Sequence, residues 1–213
     1  MGATGMVIFA AGIAAALFYF PLTGRRESWH RALFKTVPVA CFAIAAIAAD
    51  APALLGAALL LSALGDFALA RPGRPAFLYG LAAFALAHVL YTLLFLGLSG
   101  TALWDAFAVA PVPALAVLLL ALSTEIWLAP FAGALRWPVR AYVVLIGVMM
   151  LAALDLPGPF RPATLGAGAF VLSDMVLALA RFRLRDPGRW AGGLVWGLYV
   201  GGQALILWGV AGG

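Results

Sequence analysis

The chain has 213 residues, of which 66% are hydrophobic and only 10% charged, with a mean hydropathy of +1.09. A soluble domain keeps about a quarter of its residues charged, so this balance excludes a soluble globular fold and belongs to a polytopic membrane protein. The net charge of +5 would point to nucleic acid in a soluble protein; here the basic residues read first as topology, and no nucleic-acid partner is expected.

Apolar runs between Pro, Gly and charged breaks predict an all-α fold: eight transmembrane helices in one bundle, a single domain over 1–213. The spans fall at about 4–22, 33–50, 53–70, 76–98, 107–123, 138–154, 162–181 and 190–210; a span needs roughly 17–25 apolar residues. The first lacks a basic leading region and stays apolar from Met6 to Leu22, so it reads as a span and not a cleaved signal. The second opens on "FKTVP" with Lys35. The third, "LLLSALGDFALAR", carries Ser62 and Asp66 at i, i+4 and therefore on one face. The fourth, "FLYGLAAFALAHVLY", carries His88 and Tyr91 at i, i+3. Pro111 and Pro113 sit near the start of the fifth, and its trailing "STEIWLAP" reads either as helix or as an interfacial segment.

The sixth, "AYVVLIGVMM", holds Tyr142, with Met149 and Met150 as core filling. The seventh, "FVLSDMVLALARF", places Ser173 and Asp174 at its centre. The eighth carries Tyr199 and Gln203 at i, i+4 and a Gly193, Gly197, Gly201 stripe that reads as a close helix-packing face. One cysteine, Cys41, rules out an internal disulfide and a cysteine metal site, and His30 and His88 lie far apart. No metal and no cofactor is expected.

Charge orients the bundle. Arg25, Arg26, Arg31 and Lys35 follow span one, Arg71 and Arg74 span three, Arg136 and Arg140 span five, and Arg181, Arg183, Arg185 and Arg189 span seven. The alternate connections hold Asp50, Asp105 and Asp155, with Arg161 as their one basic residue. By the positive-inside rule the basic loops face the cytoplasm of a bacterial inner membrane and both termini face out. "GDFALAR" in span three echoes "SDMVLALAR" in span seven, which suggests a parallel 4+4 pseudo-repeat. Asp66 lies five residues before Arg71 and Asp174 seven before Arg181. At about 1.5 Å per residue, both carboxylates sit roughly 7–10 Å inside the boundary.

A carboxylate facing lipid costs at least about 2.5–3.5 kcal/mol at a helix centre, so such groups face the bundle interior or a wet cavity. Two at matched depth favour a shared cavity. Gln203, about 13 residues into its span, needs a buried partner for its amide, and the same cavity supplies one.

"FKTVP", "SALGD", "FLYGLAAFALAHVLY", "AYVVLIGVMM", "GAFVLSDMVLALARF" and "LYVGGQALI", in that order, resemble the YhhN-like integral membrane proteins, which include the lysoplasmalogenases. One departure is that Pro follows Lys35 only at Pro38. The resemblance implies an eight-helix bundle that hydrolyses the vinyl ether bond of lysoplasmalogens, releasing a fatty aldehyde and a glycerophospho-base. It implies Asp66 and Asp174 as catalytic. The expected substrate-binding set is Lys35, Ser62, His88, Tyr91, Tyr142, Ser173, Tyr199 and Gln203, with Arg71 or Arg140 beside Lys35 for the phosphate.

Vinyl ether hydrolysis needs an acid that protonates carbon and an anion that stabilises the oxocarbenium ion and activates water, and two carboxyl groups supply both. The partners are then a lysophospholipid and the bilayer; oligomeric state is open. The alternative is a small proton-coupled transporter using the same Asp pair, and a third reading is a lipid-binding assembly protein.

Overall fold

The computed structural model describes residues 1–25 and 28–212, with nothing to be said of the Arg189 side chain. Arg26 and Arg189, counted above among the loop charges, therefore lie outside the description. The long helices are α1 (Ala3–Tyr19), α2 (Trp29–Ala48), α3 (Ala53–Leu69), α4 (Arg74–Ser99), α5 (Pro111–Trp127), α6 (Arg136–Leu154), α7 (Arg161–Phe182) and α8 (Gly188–Ala211). Among the described residues, seven helical segments are long and apolar enough to cross a membrane. The eighth, α3, is equally apolar but has 17 residues, at the short end of what a span requires.

Local chemistry sets the ends. Ser28 caps α2 by accepting the Arg31 backbone N–H at 3.2 Å, so this helix begins four residues earlier than hydropathy places it. The fifth span needs a larger correction. A short turn, Ala106–Val109, breaks at Ala110, and the helix runs from Pro111 to Trp127 instead of 107–123. Prolines in the first helical turn lose nothing, because those N–H groups have no partner within the helix. At the other end the polar residues satisfy themselves: Thr124 Oγ1 donates to the Ala121 carbonyl at 2.6 Å, and Trp127 Nε1 to Ser123 Oγ at 3.0 Å.

The molecule is apolar outside as well as inside. Val112, Ile126 and Val7 are 77%, 79% and 69% exposed, which is tolerable only where the surrounding medium is hydrocarbon. Within, one cluster built on Phe42, Leu59, Phe95, Met149, Phe170 and Leu207 runs through both halves.

Neighbours in sequence pack together from α1 to α4 and again in α7 and α8. Between the halves α4 packs on α6 and α2 on α8, so the second helix of each half meets the fourth of the other. Helix α5 leans chiefly on α6.

The closest approach in the bundle is α7 on α8. A Cβ added at Gly166 would come within 2.5 Å of the Gly202 carbonyl oxygen, and one at Gly209 within 2.5 Å of the Ala163 nitrogen. The Gly193, Gly197, Gly201 stripe, expected as a close helix-packing face, makes no such approach within the chain. A Cβ at Gly197 or Gly201 would meet nothing within 4 Å, and one at Gly193 would meet only the Phe20 ring. The buried face of α8 lies instead on Gly202 and Gly209, because Tyr199 and Gln203 turn that face inward.

Candidate active site

Asp66 sits near the C-terminal end of α3 and is 1% exposed. Both of its oxygens are engaged. Lys35 Nζ, from α2, lies 3.1 Å from Oδ1, and the Tyr199 hydroxyl, from α8, donates to Oδ2 at 2.6 Å. The Gly65 before it is required by α4: a Cβ there would lie 2.6 Å from Phe84 Cε2. The Phe84 ring meets Tyr199 and Phe170 edge-on, at 5.6 and 6.0 Å between centroids.

Asp174, on α7, is partly open, with 15% of its side chain exposed. The Tyr142 hydroxyl of α6 donates to its Oδ2 at 2.5 Å. His88 Nε2 of α4 lies 3.0 Å from that hydroxyl and 3.6 Å from the carboxylate oxygen. Tyr142 has one proton and gives it to Asp174, so its oxygen accepts from His88, which must then carry its proton on Nε2. A wire therefore runs from His88 through Tyr142 to Asp174. Each carboxylate is thus met by the second helix of its own half and the fourth helix of the other.

Both carboxylates open on one cavity of about 540 Å³, within the range of small-molecule sites. Lys35, Asp66, Tyr142, Ser173, Asp174 and Tyr199, all expected from the sequence, line it. Ser173 also ties α7 to α8 by donating to the Val195 carbonyl at 3.0 Å. At the basic end the wall includes Arg31, Arg71 and Arg181; in the other direction an apolar arm runs past Val117, Ala121, Val143, Gly147 and Val171.

Four of the residues expected to bind substrate do not line the cavity. Ser62, His88, Tyr91 and Gln203 are fully buried and stand behind the cavity wall. Ser62 Oγ turns back to the Ala58 carbonyl at 2.9 Å, and the Tyr91 hydroxyl donates to Gln203 Oε1 at 2.5 Å. These bonds satisfy the two hydroxyls and Gln203 Oε1, while Gln203 Nε2 and His88 Nδ1 have no partner among the described residues. His88 reaches the site only through Tyr142 and Asp174. Arg140 is also removed from the phosphate role: it forks onto Glu125, with Nε donating to Oε1 at 2.8 Å, away from the cavity.

Tyr19 is among the lining residues that sequence reading did not single out, as are Arg31, Arg181 and Trp196. It is 1% exposed, its hydroxyl has no hydrogen-bond partner among the described residues, and the Arg31 guanidinium lies 5.9 Å from its ring centre. At the end of a span a tyrosine reads as an interfacial anchor, so no signal distinguished it.

The YhhN family model matches residues 30–210. The chain is similar to the lysoplasmalogenase TMEM86B of Sus scrofa, at 35% identity over 201 residues, covering 90% of this chain and 80% of that one. It is 35% identical over 152 residues to a lysoplasmalogenase of Mycobacterium tuberculosis, covering 70% of this chain and 57% of that one. The human lysoplasmalogenase TMEM86A is 29% identical over 205 residues, with 89% and 81% covered. No solved structure matches. With all but its first helix and its ends inside the family match, the chain belongs to the YhhN family.

Proposed function

We propose that this multi-pass membrane protein hydrolyses the vinyl ether bond of lysoplasmalogens, with Asp174 and Asp66 as the reacting pair. The observation that carries this reading is the joining of two intramembrane carboxylates, a basic end and an apolar arm in one cavity. A single-chain phospholipid has the same three parts in the same order. The relatives named as lysoplasmalogenases support the substrate class.

Asp174 delivers a proton to the alkenyl carbon remote from the ether oxygen, and the resulting oxocarbenium ion faces the Asp66 carboxylate. Lys35, at 3.1 Å, balances the charge of Asp66 between turnovers. Water adds to the cation and gives its proton back to Asp174; the hemiacetal then collapses to fatty aldehyde and alcohol. The Tyr142 hydroxyl, itself held by His88 Nε2, keeps the Asp174 carboxyl in place for both transfers. The hydrocarbon chain lies in the arm between α5, α6 and α7, and the basic end of the cavity faces the cytoplasm.

The test is aldehyde release from 1-alkenyl-lysophosphoethanolamine by purified protein, with an ester-linked lysolipid as control. Loss of release in Asp66→Asn and in Asp174→Asn, both well folded, is the expected outcome. Full activity in either sinks the pairing. Solute flux in proteoliposomes without aldehyde would instead favour a carrier.

A further inference from the structure

Four cations stand at the basic end of the cavity, and two of them are already committed. Lys35 is bound to Asp66, and Arg31 donates through Nε and Nη2 to the Leu22 and Thr23 carbonyls, each at 3.2 Å. Arg71 and Arg181 make no ion pair among the described residues, and each lies on an aromatic ring of another helix. The Arg71 guanidinium is 3.5 Å from the Trp29 ring centre and that of Arg181 is 5.3 Å from the Phe77 ring centre. A guanidinium held against a ring keeps N–H groups that can grip a tetrahedral oxyanion in pairs.

We propose that Arg71 and Arg181 together form the seat for the phosphate of a glycerophospholipid headgroup. The inference rests on the function proposed above and adds the anchoring point of its substrate. Length supports it. Arg181 follows Asp174 by seven residues, about 10.5 Å along α7, and Arg71 stands in the turn just past the end of α3, five residues after Asp66. In a 1-alkenyl-glycerophospholipid, seven bonds separate phosphorus from the alkenyl carbon that takes the proton. An extended chain advances about 1.1–1.2 Å per bond, so that distance is about 8 Å. A phosphate held between the two arginines sets the reacting carbon level with the two carboxylates. The pair thereby acts as a ruler, choosing phosphorylated lipids over neutral alkenylglycerols and fixing which bond enters the site.

The experiment measures equilibrium binding to the purified full chain in nanodiscs of zwitterionic lipid, where general attraction of arginines to anionic membranes is absent. The probes are an uncleavable 1-alkyl-lysophosphoethanolamine and the matching 1-alkylglycerol. Wild-type protein should prefer the phospholipid. Arg71→Gln and Arg181→Gln should each weaken it by about tenfold, the value of one charge-assisted contact, and leave the alkylglycerol unchanged. Arg→Lys variants, which keep the charge and lose the fork, should fall between.

Displacement by glycerophosphoethanolamine, but not by equal inorganic phosphate, assigns the seat to a headgroup. Equal weakening of both probes, or no weakening in either glutamine variant with unaltered melting, overturns the proposal. So does inorganic phosphate that competes as well as the glycerophospho compound. Because binding is read without turnover, a protein that binds in this way and releases no aldehyde would refute the hydrolysis and keep the phosphate seat.

Discussion

Replacing Tyr142 by Phe removes one oxygen atom and tests the hold on Asp174 directly. That oxygen is 2.5 Å from Asp174 Oδ2 and 3.0 Å from His88 Nε2. Without it His88 is left 3.6 Å from the carboxylate, too far for a hydrogen bond. Asp174 thus loses its hydroxyl donor and its link to His88 in the same step. A hydrogen bond to a charged group is worth about 1.5–3 kcal/mol, which at about 1.4 kcal/mol per decade predicts a fall in kcat of roughly 10- to 100-fold. KM should move little, since the lipid is held elsewhere in the cavity.

The control is Tyr91→Phe. Its hydroxyl is as buried and makes an equally short bond, to Gln203, but behind the cavity wall. It should lower thermal stability and leave kcat within about threefold, as expected of a group that touches no reacting atom. Aldehyde release over a range of substrate concentrations, with melting curves alongside, separates the two. If Tyr142→Phe keeps wild-type kcat, or if Tyr91→Phe loses as much, the role given to Tyr142 in holding Asp174 is wrong.

Gly166→Ala forces a Cβ to 2.5 Å from the Gly202 carbonyl oxygen and should destabilise the bundle by about 1–3 kcal/mol, whereas Gly197→Ala, with open space at its side chain, should be neutral; equal melting of the two would refute the packing assignment. Lys35→Met leaves a nearly buried Asp66 without its cation and should cost about 3–5 kcal/mol, much of it regained in the Lys35→Met, Asp66→Asn double variant; thermal unfolding in detergent is the measurement. Gly147→Trp fills the apolar arm opposite Val117. Two excluded methylenes at about 0.8 kcal/mol each should lower the preference for long over short alkenyl chains by roughly tenfold, and an unchanged chain-length profile would show that the chain lies elsewhere.

The helices and the two carboxylates were legible in the sequence because each depends on sums taken along the chain. Hydropathy adds over a span, arginines mark one end, and a lone Asp in an apolar run is conspicuous whatever surrounds it. Helical spacing likewise put Ser62 on the face of Asp66, and Gln203 on that of Tyr199. What spacing supplies is an azimuth, and it does not say which neighbouring helix meets that azimuth or at what depth.

Tyr91 and Tyr142 are both mid-span tyrosines, yet one bonds Gln203 in the dry interior and the other holds Asp174 on the cavity wall. The difference arises from packing between elements far apart in the chain: Gly65 admits the Phe84 ring, Gly166 and Gly202 bring α7 onto α8, and α4 lies against α6. The same packing decided which arginines remain available, since Arg140 finds Glu125 only when α5 and α6 lie side by side. The sequence by itself determined a polytopic helical membrane protein with two carboxylates placed off the lipid. Tertiary structure alone decided their partners, because a hydrogen bond is made over 3 Å of space and the residues that make these lie 31 to 133 positions apart in the chain.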